Sequence, residues 1–347
     1  MKLFYVFTFL ALYTRMQSAR ASDTGTQAIL IAGPNANDSD IESLIAVMGA
    51  TGSGKTTFIN MASGSNLRVG SGLMSCTSDV QTSQPFRLGD RTVRLIDTPG
   101  FDDTTRSDTD VLSMISAYLS TAYMDGVRLS GVVYVHRISD FRMGGTSTRN
   151  FRMFRKLCGD DSLRNVVLVT NMWGQVPVDV GEAREKELKE EDVFFKPVLD
   201  EGAQIKRHNN TLTSAHEILR SVAFKDPVPL RIQKELVDEN RDITETDAGE
   251  ELGRELREQA RKFKEQQERL RVEMEEALKD NDERARVELE KATTKLKQDI
   301  NRLTSDSERM ASSFADAQRR MQQELDRARS RRRGFFARVG RALDSLF

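Results

Sequence analysis

A glycine-rich turn between two apolar runs constrains this chain more than any other feature. Gly49-Ala50-Thr51-Gly52-Ser53-Gly54-Lys55-Thr56 fits the pattern G-x-x-x-x-G-K-[ST]. Before it, Ser43-Leu44-Ile45-Ala46-Val47-Met48 is a short apolar run of the kind that forms a buried parallel strand. After it, Thr57-Phe58-Ile59-Asn60-Met61-Ala62 has helical spacing, with Phe58, Ile59 and Ala62 expected inward. A strand, a glycine turn and a helix in that order place backbone N–H groups and a positive helix end around one point. That point suits a phosphate. Gly49, Ala50, Thr51, Gly52, Ser53, Gly54, Lys55, Thr56 and Thr57 are the expected phosphate contacts. Lys55 supplies charge, and the Thr56 hydroxyl is an expected Mg²⁺ ligand.

A second motif follows at a compatible distance. Thr92-Val93-Arg94-Leu95-Ile96 reads as a strand entering a core, and it ends at Asp97-Thr98-Pro99-Gly100. A carboxylate at a strand end can hold Mg²⁺ through water, which makes Asp97 a metal candidate. Gly100 can offer its N–H to a γ-phosphate with no Cβ in the way. Loss of that bond on hydrolysis would release the loop.

With these two motifs in place, residues 44–224 resemble the G domain of GTPases, most closely the septin-like and immunity-associated (GIMAP, Toc) branch. Thr77 lies 22 residues after Lys55 and resembles the switch I threonine that caps Mg²⁺. Asp97-Thr98-Pro99-Gly100-Phe101 is similar to the switch II signature of that branch, with Phe101 where Ras-like proteins keep a water-orienting glutamine. The resemblance implies GTP as ligand, Mg²⁺ as cofactor and hydrolysis of the β–γ anhydride. No residue is assigned as the water-orienting group; Thr77, His136 and Arg142 are the catalytic candidates. The resemblance fails at the base-specificity motif. After the apolar run Val166 to Val169 and Thr170 come Asn171-Met172-Trp173-Gly174, so the asparagine is present and the guanine-reading aspartate is absent. Trp173 is read as either a purine-stacking or a packing residue. Asn209 and Asn210 are read as base contacts or as polar turn residues.

The expected architecture is α/β: a P-loop NTPase fold with a mostly parallel sheet, helices on both faces, and a long helical, coiled-coil extension. The G domain is expected over 41–225. Ser83 to Leu88 and Thr92 to Ile96 read as a hairpin across Gly89-Asp90. Gly131 to Val135 reads as a further strand ending at His136, and Arg137 to Asn150 as a polar, arginine-rich loop. From 226 to 330, Leu252, Leu256, Phe263, Leu270, Met274 and Ala277 recur at helical spacing. After a break near Asn281-Asp282, Leu289, Ala292, Leu296, Leu303, Met310, Phe314 and Ala317 continue it. This pattern fits a coiled coil, a helical hairpin or a solvated single helix. Residues 331–347 put Phe335, Phe336, Val339, Leu343, Leu346 and Phe347 on one face beside five arginines. Such a helix suits an anionic membrane surface or a docked position on protein.

The formal charge of −1, from 52 basic and 53 acidic residues, gives no global field for nucleic acid. The two cysteines, Cys76 and Cys158, make no disulfide framework and suit a reducing, cytoplasmic setting. Residues 1–21 oppose that placement. Met1-Lys2, the apolar run Leu3 to Tyr13 and Ala19-Arg20-Ala21 resemble a signal peptide. A short membrane-associating segment and a start codon set too far upstream are the other readings. Residues 22–40 read as a disordered lead-in. The expected partners are a second copy, through G domain and coiled coil, and a membrane surface.

Overall fold

The computed structural model describes residues 42–68, 80–103, 106–140, 145–279 and 283–344, with side chains to residue 327. Residues 1–40, with the signal-like segment and the lead-in expected there, lie outside these. The apolar runs form a seven-stranded sheet. Four of its strands follow the sequence reading: β1 (Glu42–Met48), β4 (Arg91–Asp97), β5 (Leu129–Arg137) and β6 (Val166–Asn171). With β2 (Gln81–Thr82), β3 (Phe86–Leu88) and β7 (Gln204–Arg207), the order is β2-β4-β1-β5-β6-β7, and β3 also pairs with β4. All neighbours are parallel except β2 and β3, which run antiparallel to β4. The Gly89-Asp90 hairpin is therefore present.

Alternation along the central strands divides the core into two layers. Ile45, Val47, Val133, Val135, Val167 and Val169 face α1 (Lys55–Ser63) and α6 (Leu212–Ala223), whose Phe58, Ile59, Ile218 and Leu219 are buried. Leu44, Ala46, Met48, Val132, Tyr134 and Leu168 face α2 (Asp108–Met124) and α3 (Gly145–Cys158). Two further helices, α4 (Val178–Glu190) and α5 (Lys196–Asp200), close the β6–β7 side. The expected loop over Arg137 to Asn150 is shorter than the sequence suggested. Helix α3 already begins at Gly145, because buried Asn150, Phe151, Phe154 and Leu157 give one inward face.

The charged C-terminal third is helical, but it is not a separate rod. It comprises α7 (Asp247–Lys279), α8 (Glu283–Glu308) and α9 (Met310–Asp344). Only three residues join α7 to α8, and the two helices pack along each other as a hairpin. The break in periodicity near Asn281 falls between these two helices, at residues outside the described ones. Helix α7 starts against α3, and α9 returns to lie along α2. Leu230, Ile232, Ile243, Leu252, Leu256, Leu303 and Met310 belong to the same core as Leu112 and Phe154. The expected change of character at residue 226 therefore does not mark an edge of the core. Entry to α7 is fixed by Glu235, fully buried, which lies 3.1 Å from Arg231 and 3.3 Å from Arg241 and accepts the Asp247 N–H at 3.1 Å. Among the described residues no helix is long and apolar enough to cross a membrane.

Candidate functional site

The strand-end edge of the sheet gathers the two sequence motifs. Strand β1 stops at Met48 because Gly49 turns away at φ 139°, where a Cβ would lie 2.3 Å from the Val135 carbonyl oxygen of the neighbouring strand. The chain then wraps through Gly52 and Gly54, both at positive φ, into the first turn of α1. Lys55 is buried and folds back over this turn, donating to the carbonyls of Gly49 at 3.0 Å and Ala50 at 2.9 Å. An ammonium has three donors, so one remains for a ligand. Burial pushes Lys55 down to about 8, against the attraction of Asp97 and Asp103 and with the repulsion of Arg137.

Thr56, one position on, donates to Asp97 Oδ2 at 2.6 Å. Asp97 is fully buried at the end of β4, and burial raises its pKa while the Thr56 hydrogen bond partly offsets the rise. Its other oxygen, Oδ1, is buried with no hydrogen-bond partner among the described residues. The loop after Asp97 closes on the glycine turn. Thr51 N–H donates to the Phe101 carbonyl at 3.1 Å, and the Thr51 hydroxyl to the Gly100 carbonyl at 3.2 Å. A Cβ on Gly100 would sit 2.4 Å from Thr51 N, so no side chain fits there. Phe101 is 7% exposed and its ring belongs to the core.

At the third corner, Asn171 ties two loops together. Its Nδ2 donates to the Ser53 carbonyl at 3.0 Å, and its Oδ1 accepts the Met172 N–H at 2.8 Å. Met172 takes φ 64°, which sends the chain into the turn Trp173–Gln175. A Cβ on Gly174 would meet nothing within 4 Å, so the place of the missing aspartate is open space.

Other sequence candidates take packing roles. The Trp173 indole N–H donates to the Thr170 carbonyl and hydroxyl, both at 3.1 Å. The Arg207 guanidinium lies 4.1 Å from the ring centroid, and the ring edge fills the gap left by Gly181 on α4. These contacts join the Trp173 loop to α4 and β7. His136 is buried edge-on to Phe195, with ring centroids 5.5 Å apart. Burial holds its pKa down at about 4, which favours the neutral ring. Asn209 accepts from the Thr211 hydroxyl at 2.6 Å, and Asn210 takes φ 60° in the turn before Thr211 caps α6. That is the polar-turn reading. Thr77 and Arg142 lie outside the described residues. Of the other arginines after His136, Arg149 pairs with Asp108 at 2.7 Å, Arg152 with Glu255 at 3.1 Å and Arg155 with Asp160 at 3.6 Å.

This geometry agrees with the comparisons. The profile of the family described as "50S ribosome-binding GTPase" matches residues 44–171. That segment has the fold of a P-loop GTPase domain. No curated protein matches the chain. Among solved structures, Toc33 from Arabidopsis thaliana in complex with GDP and Mg²⁺ is 13% identical with a TM-score of 0.43, covering 55% of this chain and 88% of that one. A variant of Era from Aquifex aeolicus bound to GDP·AlF₄⁻ is 15% identical with a TM-score of 0.40, covering 54% of this chain and 57% of that one.

A GTPase domain implies Mg²⁺, and the donor set here fits it. The Thr56 hydroxyl and a carboxylate with one buried, partnerless oxygen are hard oxygen donors at one point beside Lys55. Among the described residues there is no cluster of three His, Cys, Asp or Glu side chains, so the metal would need phosphate and water oxygens as well.

Proposed function

We propose that the protein binds GTP with Mg²⁺, hydrolyses it slowly, and uses the nucleotide state to control self-association or membrane attachment. The reading places it in the septin-like and immunity-associated branch, on the Thr77 spacing and the Asp97 to Phe101 signature. The observation that carries it is the assembly of Lys55, Thr56, Asp97 and Gly100 around one turn, with the Gly100 segment bonded directly to Thr51. Lys55 and the turn amides would hold the phosphates. Thr56 and Asp97 would hold Mg²⁺, which when bound neutralises phosphate charge. Gly100 would report the γ-phosphate to the segment leading into α2. Slow turnover follows from Phe101, whose ring is buried in the core and orients no water.

The open space at Gly174 favours a second reading, a nucleoside triphosphate site that does not select guanine by a carboxylate. One experiment addresses both. Competition among GTP, ITP, XTP and ATP is measured on the full chain and on Lys55→Ala. The expected outcome is triphosphate binding that requires Lys55, with guanine preference reduced by about 1–3 kcal/mol because the base edge loses its acceptor. Unchanged binding in Lys55→Ala would remove the phosphate-site reading altogether. A guanine-over-adenine ratio above about ten thousand would show full readout by another group.

A further inference from the structure

The last residue of β5 carries a guanidinium placed unlike those of the arginines that follow it. Strand β5 lies parallel to β1 with Met48 opposite Tyr134, so the chain three residues after Tyr134 emerges beside the turn that follows Met48. Arg137 is that residue. A Cβ placed on Gly52 would lie 3.1 Å from Arg137 Nη1, so the guanidinium rests on the glycine turn itself. Its Nε lies 2.8 Å from Asp140 Oδ1, an ion pair that holds one edge of the group, and among the described residues no carboxylate meets its terminal nitrogens. The side chain remains 33% exposed, in reach of a ligand. Arg149, Arg152 and Arg155 differ: each turns its terminal nitrogens to a carboxylate elsewhere.

Two cations therefore converge on one turn, Lys55 from inside and Arg137 from the β5 side. Like charges so placed repel, and Arg137 contributes to the lowered pKa of Lys55. An arrangement of this kind is relieved by an anion between them, and a planar guanidinium suits phosphate oxygens in particular. We propose that Arg137, steered by Asp140, is a second phosphate ligand acting within its own chain, joining Lys55 on the phosphate chain of the bound nucleotide. The proposal rests on the phosphate-site reading above. It makes Arg137 a binding residue and Asp140 a positioning residue.

The test measures affinities of the full chain for GTP, GDP and GMP, with the thermal midpoint of each nucleotide-free variant as a folding control. Arg137→Ala and Arg137→Gln should weaken GTP and GDP by about tenfold to a hundredfold, the loss expected for one charged hydrogen bond, and GMP by less. Arg137→Lys should recover part of the loss. Asp140→Asn should weaken binding by a smaller factor with the folding midpoint preserved. Wild-type affinity in Arg137→Gln, with Lys55→Ala inactive in binding, overturns the role of Arg137 and leaves the phosphate site standing. Equal loss for GMP and GTP also overturns it, because a phosphate-chain ligand must sense phosphate number. Wild-type affinity in Lys55→Ala would remove the underlying reading instead.

Discussion

Lys55 sits buried at the phosphate turn with a pKa held near 8, and this gives nucleotide affinity a definite pH dependence. Phosphate favours the charged ammonium, so binding above pH 8 must be accompanied by proton uptake. Affinity for a non-hydrolysable triphosphate should fall by up to tenfold per pH unit above about 8, with proton uptake on binding seen by calorimetry in buffers of different ionisation enthalpy. The nucleotide-free fold responds in the opposite sense. Between about 8 and 10.5 the unfolded chain binds the proton that the folded chain has released, so the Lys55 contribution to stability rises with pH in that window. A wild-type affinity flat from pH 7 to 10 would show that Lys55 does not titrate there. Gly100 makes a second residue-scale case. In Gly100→Ala the new methyl must displace the loop from Thr51, since it would otherwise lie 2.4 Å from the backbone nitrogen. Triphosphate affinity should drop at least tenfold, with the diphosphate changed far less, as read by equilibrium titration of both. The strand, turn and helix that carry these residues were legible in the sequence, because apolar runs flanking a glycine turn have few alternatives. The packing of Trp173 and His136 was not legible, since a ring near a site reads the same whatever it meets. Only the contacts with Gly181, Arg207 and Phe195 decide. The Arg137 position also needed the register of β5 against β1, which no local pattern carries.

Helix α9 shows the same division between local pattern and tertiary choice at the scale of elements. Its spacing of Met310, Phe314, Ala317 and Met321 announces an amphipathic helix, yet the partner of that face is set by where the chain returns. The partner is α2, the helix that follows Gly100, and the junction is marked by Ser313 donating to Asp110 at 3.2 Å. Strands β1, β4, β5 and β6 were readable because continuous apolar runs flanked by turn residues have few alternatives. The hairpin of α7 and α8 was readable only as one of three options, since charged heptads look alike in rods, hairpins and single helices. The apolar stripe is now seen to be used inside the chain, through Leu252, Leu256, Ala277, Leu296, Leu303 and Met310. Phe263, Leu270, Met274 and Leu289 on the same helices stay only half-buried. One core shared by sheet and hairpin implies one cooperative unit. Urea unfolding followed by Trp173, the single tryptophan, and by helix ellipticity should give coincident midpoints. Met310→Ala, truncating a residue only 2% exposed, should lower stability by about 2–5 kcal/mol on both probes together. Separate transitions would mean that the helices fold as an independent extension.

The whole molecule differs from the core it contains because α9 outruns its support. Helix α2 has 17 residues and α9 has 35, or about 25 Å against about 52 Å at 1.5 Å per residue. Docking begins at Asp110 near the start of α2, and among the described side chains, which end at residue 327, the last deeply buried on α9 is Leu325. The second half of α9 therefore extends past the end of α2. That half carries Arg331, Arg332, Arg333, Arg338 and Arg341 together with Phe335, Phe336 and Val339 in a chain whose net charge is only −1. Basic and aromatic residues concentrated in this way suit an anionic lipid surface, at about 1 kcal/mol per basic residue near the headgroups. Removing residues 334–347 should then abolish binding to vesicles containing phosphatidylserine while leaving the thermal midpoint and nucleotide affinity unchanged. Binding of the full chain should weaken steeply between low and high salt, because the arginine contribution is screened over about 10 Å at 0.1 M. The opposite pattern, a lower midpoint with vesicle binding intact, would mean that the end of α9 packs on the protein. Since Met310→Ala acts on the docked half of the same helix and the truncation on the free half, the two variants should separate cleanly, one in stability and the other in lipid binding.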